Sequence, residues 1–210
     1  MKRLTVIVVF LALGLLVFTQ TTQAQQAPAP APKAAEPKKA EPKAAEAKKP
    51  EPKSKDWKIQ NAMSGGPRSI SSKATVLDWP AKEGGEMVVL RKGTNDWTCL
   101  VDDPSTPAND PMCLDKAAMQ WAQAWMSKQE PKLGVVGIGY MLQGGGSPSN
   151  TDPFAKKPAA GEKWMKEAPH VMIFPVGKLD PKVYGTDPHS GGPWIMWGGT
   201  PYEHLMVPVK

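Results

Sequence analysis

The chain has 210 residues, of which 40% are apolar, 22% charged and 7% aromatic, with 23 Pro, 19 Gly and two Cys. Such a composition excludes a collagen, a disulfide-dense miniprotein and a wholly disordered chain, and the length allows one domain or two small ones. The formal charge of +6 is confined to the N-terminal quarter: residues 1–24 carry +2, residues 25–55 carry eight Lys and four Glu, and residues 56–210 balance 16 basic against 16 acidic groups.

A nucleic-acid binder concentrates cations on its folded face, and here only Arg68 and Arg91 supply guanidinium groups beyond the leader, so no nucleic-acid partner is expected. Lys2 and Arg3 precede an apolar run, residues 4–18, and Thr22-Gln23-Ala24 offers small residues at a cleavage site. This is the pattern of a signal peptide over residues 1–24. As a helix the run would reach about 22 Å, short of a ~30 Å hydrocarbon core. The expectation is therefore cleavage, no stable membrane anchor afterwards, and a periplasmic or secreted protein.

Residues 25–55 contain only Ala, Pro, Lys, Glu, Gln and one Ser, and Glu-Pro-Lys recurs at 36–38, 41–43 and 51–53. With no aromatic or β-branched residue, the segment has too little apolar surface to offset its ordering entropy. It reads as a disordered linker, either a plain spacer or a cationic contact with an anionic envelope polymer.

From Asp56 the composition changes, and all eight Trp and ten of the eleven Met lie beyond it. Residues 56–210 read as one globular domain. Gly pairs and five Asp-Pro steps, at Asp103, Asp110, Asp152, Asp180 and Asp187, mark turns. Between them, strands are predicted at 74–78, 86–91, 135–142, 171–176, 194–197 and 205–209. One helix is predicted over about 115–128. Asp115 caps it, Ala118, Met119, Ala122, Trp125 and Met126 form its apolar stripe, and Lys128 and Pro131 end it. The fold class is α+β: mostly short antiparallel strands, one main amphipathic helix and a single disulfide-stapled domain.

Cys99 and Cys113 are the only cysteines, and in an exported chain an even count implies a disulfide. Their spacing fits neither a redox nor a haem motif. The loop they close holds Asp102, Asp103, Asn109 and Asp110, which are calcium-type ligands by chemistry but lack EF-hand spacing and read as turn residues. The three histidines, His170, His189 and His204, all adjoin predicted strands. Together with a carboxylate or with Met172 or Met206 they make a candidate transition-metal site. If the last three strands form a meander, His170 and His204 stand at one end of it and His189 at the other.

Catalytic signatures are absent from the sequence. There is no Gly-x-Ser-x-Gly, the Asp187, His189 and Ser190 side chains are too close in sequence to form a triad, and a disulfide leaves no thiolate. Gly137-Ile138-Gly139 lacks the helix and acidic residue of a dinucleotide site and reads as a close approach between elements. No catalytic residue and no organic cofactor are assigned.

Several segments carry a likeness: Arg91-Lys92-Gly93-Thr94-Asn95-Asp96-Trp97-Thr98-Cys99, Asn109-Asp110-Pro111-Met112-Cys113, Tyr140-Met141-Leu142-Gln143-Gly144-Gly145, Asp187-Pro188-His189-Ser190-Gly191-Gly192-Pro193, and Gly198-Gly199-Thr200-Pro201-Tyr202-Glu203-His204-Leu205-Met206-Val207-Pro208. From about Ala74 to Lys210 the chain resembles a family of uncharacterised secreted bacterial proteins. The resemblance implies export and carries no activity or catalytic residue. The leading expectation is a non-catalytic extracytoplasmic domain that binds an envelope polymer or small ligand through Trp and Gly/Pro loops. The alternatives are a metal-binding protein using the C-terminal histidines and a hydrolase acting on envelope polymer through a carboxylate pair.

Overall fold

A computed structural model describes residues 53–82 and 84–209. The expected leader, and the expected linker up to residue 52, lie outside the described residues. The described residues open inside the segment read as linker, where Ser54 is a helix cap: its hydroxyl accepts the Trp57 N–H at 3.2 Å and starts α1, Lys55–Ser64. A single turn, α2 (Arg68–Ser71), follows and leads into β1 (Thr75–Asp78).

Further strands are β2 (Val88–Arg91), β3 (Thr98–Leu100) and β4 (Met112–Leu114). The main helix α3 (Lys116–Met126) is capped by Asp115, whose Oδ1 accepts the Ala118 N–H at 2.7 Å. Its other oxygen accepts the Ile138 N–H at 2.9 Å and so ties the helix start to β5 (Gly137–Met141). The chain continues through β6 (Gly145–Ser147), β7 (Met165–Glu167), β8 (His170–Phe174), the short α4 (Pro181–Tyr184), β9 (Trp194–Met196) and β10 (His204–Pro208). The predicted α+β class is the observed one.

Eight strands form one mixed sheet in the order β2-β1-β3-β4-β5-β8-β10-β9, and β6 and β7 pair separately. Among the described residues only β1 and β3 run parallel, and every other pairing is antiparallel. The sheet has two differently built faces, because consecutive residues alternate sides. Leu77, Leu100 and Leu114 turn toward α3, where Trp121, Phe174, Trp194, Met172 and Met206 fill a large apolar core. Val76, Cys99 and Cys113 turn the other way, where a smaller cluster with Ala62, Ala74 and Val101 lies under α1.

The Cys99–Cys113 disulfide is formed, and its two residues face each other directly across β3 and β4 with Cα atoms 4.0 Å apart. Gly137 is required where it stands. A Cβ there would lie 2.6 Å from the Ala118 backbone nitrogen, so only glycine lets β5 pass the first turn of α3.

Candidate functional site

The three histidines do not gather into one group among the described residues. β10 is not the outer strand of a meander but lies between β8 and β9, antiparallel to both. That reverses the expected geometry: His170 sits opposite Pro208 at one end of the β8–β10 ladder, and His204 lies at the other end, with its ring centroid 5.3 Å from Phe174. Each ring donates its Nδ1–H to a nearby carbonyl, His170 to Ala168 at 2.7 Å and His204 to Tyr202 at 3.0 Å. Burial disfavours the imidazolium in both, lowering the His170 pKa and bringing His204 down to about 4. His189 is exposed on the loop before β9, where its backbone N–H is taken by Asp187 Oδ1 at 2.8 Å. Among the described residues no three His, Cys, Asp or Glu side chains come together in a group able to hold a metal.

The tryptophans are mostly structural. Trp121 is buried at the centre of an aromatic cluster, stacked near-parallel on Trp197 with centroids 6.0 Å apart and tilted against Phe174 at 4.5 Å. Trp125 stacks on Trp197 at 5.5 Å. Their faces are therefore occupied by one another. Trp79, Trp125, Trp194 and Trp197 each spend the indole N–H on a protein oxygen.

The acidic loop between the cysteines is built from turn chemistry. Asp102 Oδ1 accepts the Asp110 N–H at 2.9 Å, Asp110 accepts Asp103 N–H at 3.0 Å and the Thr106 hydroxyl at 2.6 Å, and Asn61 of α1 bonds both Asp102 N–H and Asn109. Asp110 and Glu167 are both buried and interact as like charges. Desolvation above all raises the Asp110 pKa to about 6 and the Glu167 pKa to about 7. Glu167 Oε1 and His170 Nε2 are buried without a hydrogen-bond partner. No surface cleft described here reaches this acid pair.

One cleft of about 410 Å³ opens beside α3. Its helical wall is Lys116, Met119, Gln120 and Gln123, a single stripe at i, i+3, i+4 and i+7, next to the stripe Ala117, Ala118, Trp121 and Ala122 that packs on the sheet. Trp97 forms the opposite wall with Asn95, Asp96, Thr98 and Thr75. Asn95 holds the wall in shape, accepting the Trp97 N–H at 3.2 Å and donating to Ile70 O at 3.0 Å. The Trp97 ring leans on Tyr140 with centroids 5.5 Å apart. Among the described residues the Trp97 indole N–H makes no hydrogen bond, which is also true of Trp57, Trp121 and Trp164, and the Trp97 ring packs in part against the cluster under α1.

None of these cleft residues was singled out from the sequence as a site. The signal was present in α3, where polar residues recur at helical spacing beside the apolar stripe. The other wall comes from a loop that nothing in the local sequence ties to that helix. A second open hollow of about 530 Å³ lies between α1 and the disulfide loop, lined by Trp57, Gln60, Asn61, Asp102 and Asn109 among others. Each hollow holds one carboxylate, Asp96 or Asp102. Comparison with family models, curated proteins and solved structures finds no match to this chain.

Proposed function

We infer that the protein is a non-catalytic extracytoplasmic binding domain and that the Trp97 cleft is where it holds its ligand. The observation that carries this reading is the cleft itself, in which Trp97 and Met119 stand among amides, hydroxyls and single charges. An aromatic ring with a polar edge, ringed by Gln, Asn, Asp and Thr, suits a hydroxyl-rich ligand such as a strand of envelope polysaccharide. The Cys99–Cys113 disulfide is consistent with an oxidising compartment. Together with the leader pattern in residues 1–24 it supports a periplasmic or secreted location.

The test is titration of the full chain with 1,4-linked N-acetylglucosamine oligomers and gluco-oligosaccharides, followed by tryptophan fluorescence and calorimetry. Saturable binding is expected, weakened about ten-fold or more by Trp97→Ala, the effect of losing roughly 1.4 kcal/mol of contact. Absence of saturable binding to either series, or a Trp97→Ala protein that binds as the parent does, overturns the reading.

A further inference from the structure

The sheet ends in two edges that are finished differently. At β9 the edge is covered: α4 packs along it, and Ile195 donates its N–H to Gly185 O at 3.0 Å. At β2 nothing covers the outer side of the strand among the described residues, and Val88 and Val89 stand 49% and 53% exposed. Such an edge offers unpaired backbone donors and acceptors to another strand.

The charges flanking β2 say which strand fits. Glu86 precedes it and Lys92 follows it, and neither forms an ion pair among the described residues. In an antiparallel pairing of β2 with β2 of a second copy about a two-fold axis at Val89, Glu86 of each chain stands opposite Lys92 of the other. Met87 then faces Arg91, and Val88 faces Leu90. Opposite charges placed directly across a ladder favour that register, and they occur twice by symmetry.

We propose that β2 is a self-association edge through which two copies of this chain join antiparallel, with Glu86 and Lys92 setting the register. The pairing is closed, because it uses both β2 edges and β9 is already covered. A bulge where the ladder steps from Val76–Arg91 to Leu77–Val89 adds twist to this edge, which opposes open-ended stacking but not a two-membered pair. The two-fold axis stands perpendicular to the sheet, so both Trp97 clefts open on the same face. On the binding reading above, that gives a bivalent grip on a repetitive polymer; the association itself does not depend on that reading.

A strand this short makes an interface of the weak class, below about 1,200 Å² in total. Sedimentation of the full chain should therefore be followed up to about 1 mM, a range that captures weak association. The weight-average mass is expected to rise from the monomer value toward twice that value. Glu86→Lys should hold the protein at monomer mass, and adding Lys92→Glu to it should restore the rise. A constant monomer mass, a dimer indifferent to Glu86→Lys, or a double variant that stays monomeric overturns the proposal. Far-ultraviolet dichroism of each variant verifies that the fold is kept, and saccharide titration of the monomeric variant reports on the cleft separately.

Discussion

The two faces of the sheet solve the same problem with different chemistry. Under α3, stability comes from large side chains: Trp121, Phe174, Trp194, Met172 and Met206 remove much apolar area from water. Under α1 the fully buried residues are small, Ala62, Ala74, Val76 and Val101, with Ile59, Met63, Leu90 and Trp97 half-buried against them, and a disulfide crosses the strands in their midst. The fully buried side chains there each remove less apolar area from water than an aromatic ring does, and the covalent link between β3 and β4 adds to them. A short strand pair survives in a thin layer when its entropy is restricted in the unfolded chain.

Several measurements would break or sharpen that contrast. The largest effect is expected from Trp121→Ala, which empties the centre of the aromatic cluster and should cost about 3–5 kcal/mol. In a denaturant titration this reads as a lower midpoint with little change of slope. A loss under 1 kcal/mol would mean that the α3 face does not depend on its aromatic centre. Replacing both cysteines by Ala should cost about 3 kcal/mol, the chain-entropy value for a loop of about 15 residues. Calorimetry should place the transition roughly 6–12 °C lower.

The pH dependence separates the regions further. Glu167 and Asp110, where the disulfide loop meets β7, have raised pKa values, so the fold binds their protons more tightly than the unfolded chain does. They contribute most at low pH, and stability is lost as pH rises from about 4 through about 6 and 7. His204, in the aromatic cluster, is lowered, so its effect runs the other way: stability is lost as pH falls from 6.5 toward about 4. Glu167→Gln should remove a decline of about 3 kcal/mol between pH 4.5 and 7, the worth of the difference between its free and folded values. His204→Phe should flatten the acid limb and leave the alkaline limb in place. Denaturation midpoints across pH 4–8 measure both, and identical profiles for parent and variants would refute the assignments. The smallest effect belongs to the Lys58–Asp78 ion pair between α1 and β1, which is partly exposed; Lys58→Met should change stability by under about 1 kcal/mol.

Legibility in the sequence followed the strength of the local signal. Asp115 is legible as a cap because a carboxylate before an apolar 3.6-residue period has one good use. The helix phase is less so: the stripe beginning at Ala118 includes Met119 and Trp125, whereas the buried residues are Ala117, Ala118, Trp121 and Ala122. Trp121 was missed because α3 carries apolar residues on two adjacent stripes, and the partner surface chooses between them. β3 and β4 were missed because three residues give no period and, unlike the equally short β9, they are not framed by glycine pairs on both sides. α1 was missed because it is polar over most of its length, with Asn61 and Ala62 its buried residues. The candidate cleft was hidden for a related reason, since Trp97 and Gln123 become neighbours only through the order of strands.

The sequence by itself determined the α+β class, six of the ten described strands, the Asp115-capped helix and the one available cysteine pairing. These rest on local patterns and on there being only two cysteines. Tertiary structure alone decided that β10 lies between β8 and β9, which separates His170 from His204. It also decided that Asp110 meets Glu167 and that Trp97 and α3 line one cleft. Strand order depends on contacts between residues far apart along the chain, and those contacts are selected by the packing of whole faces rather than by any short segment.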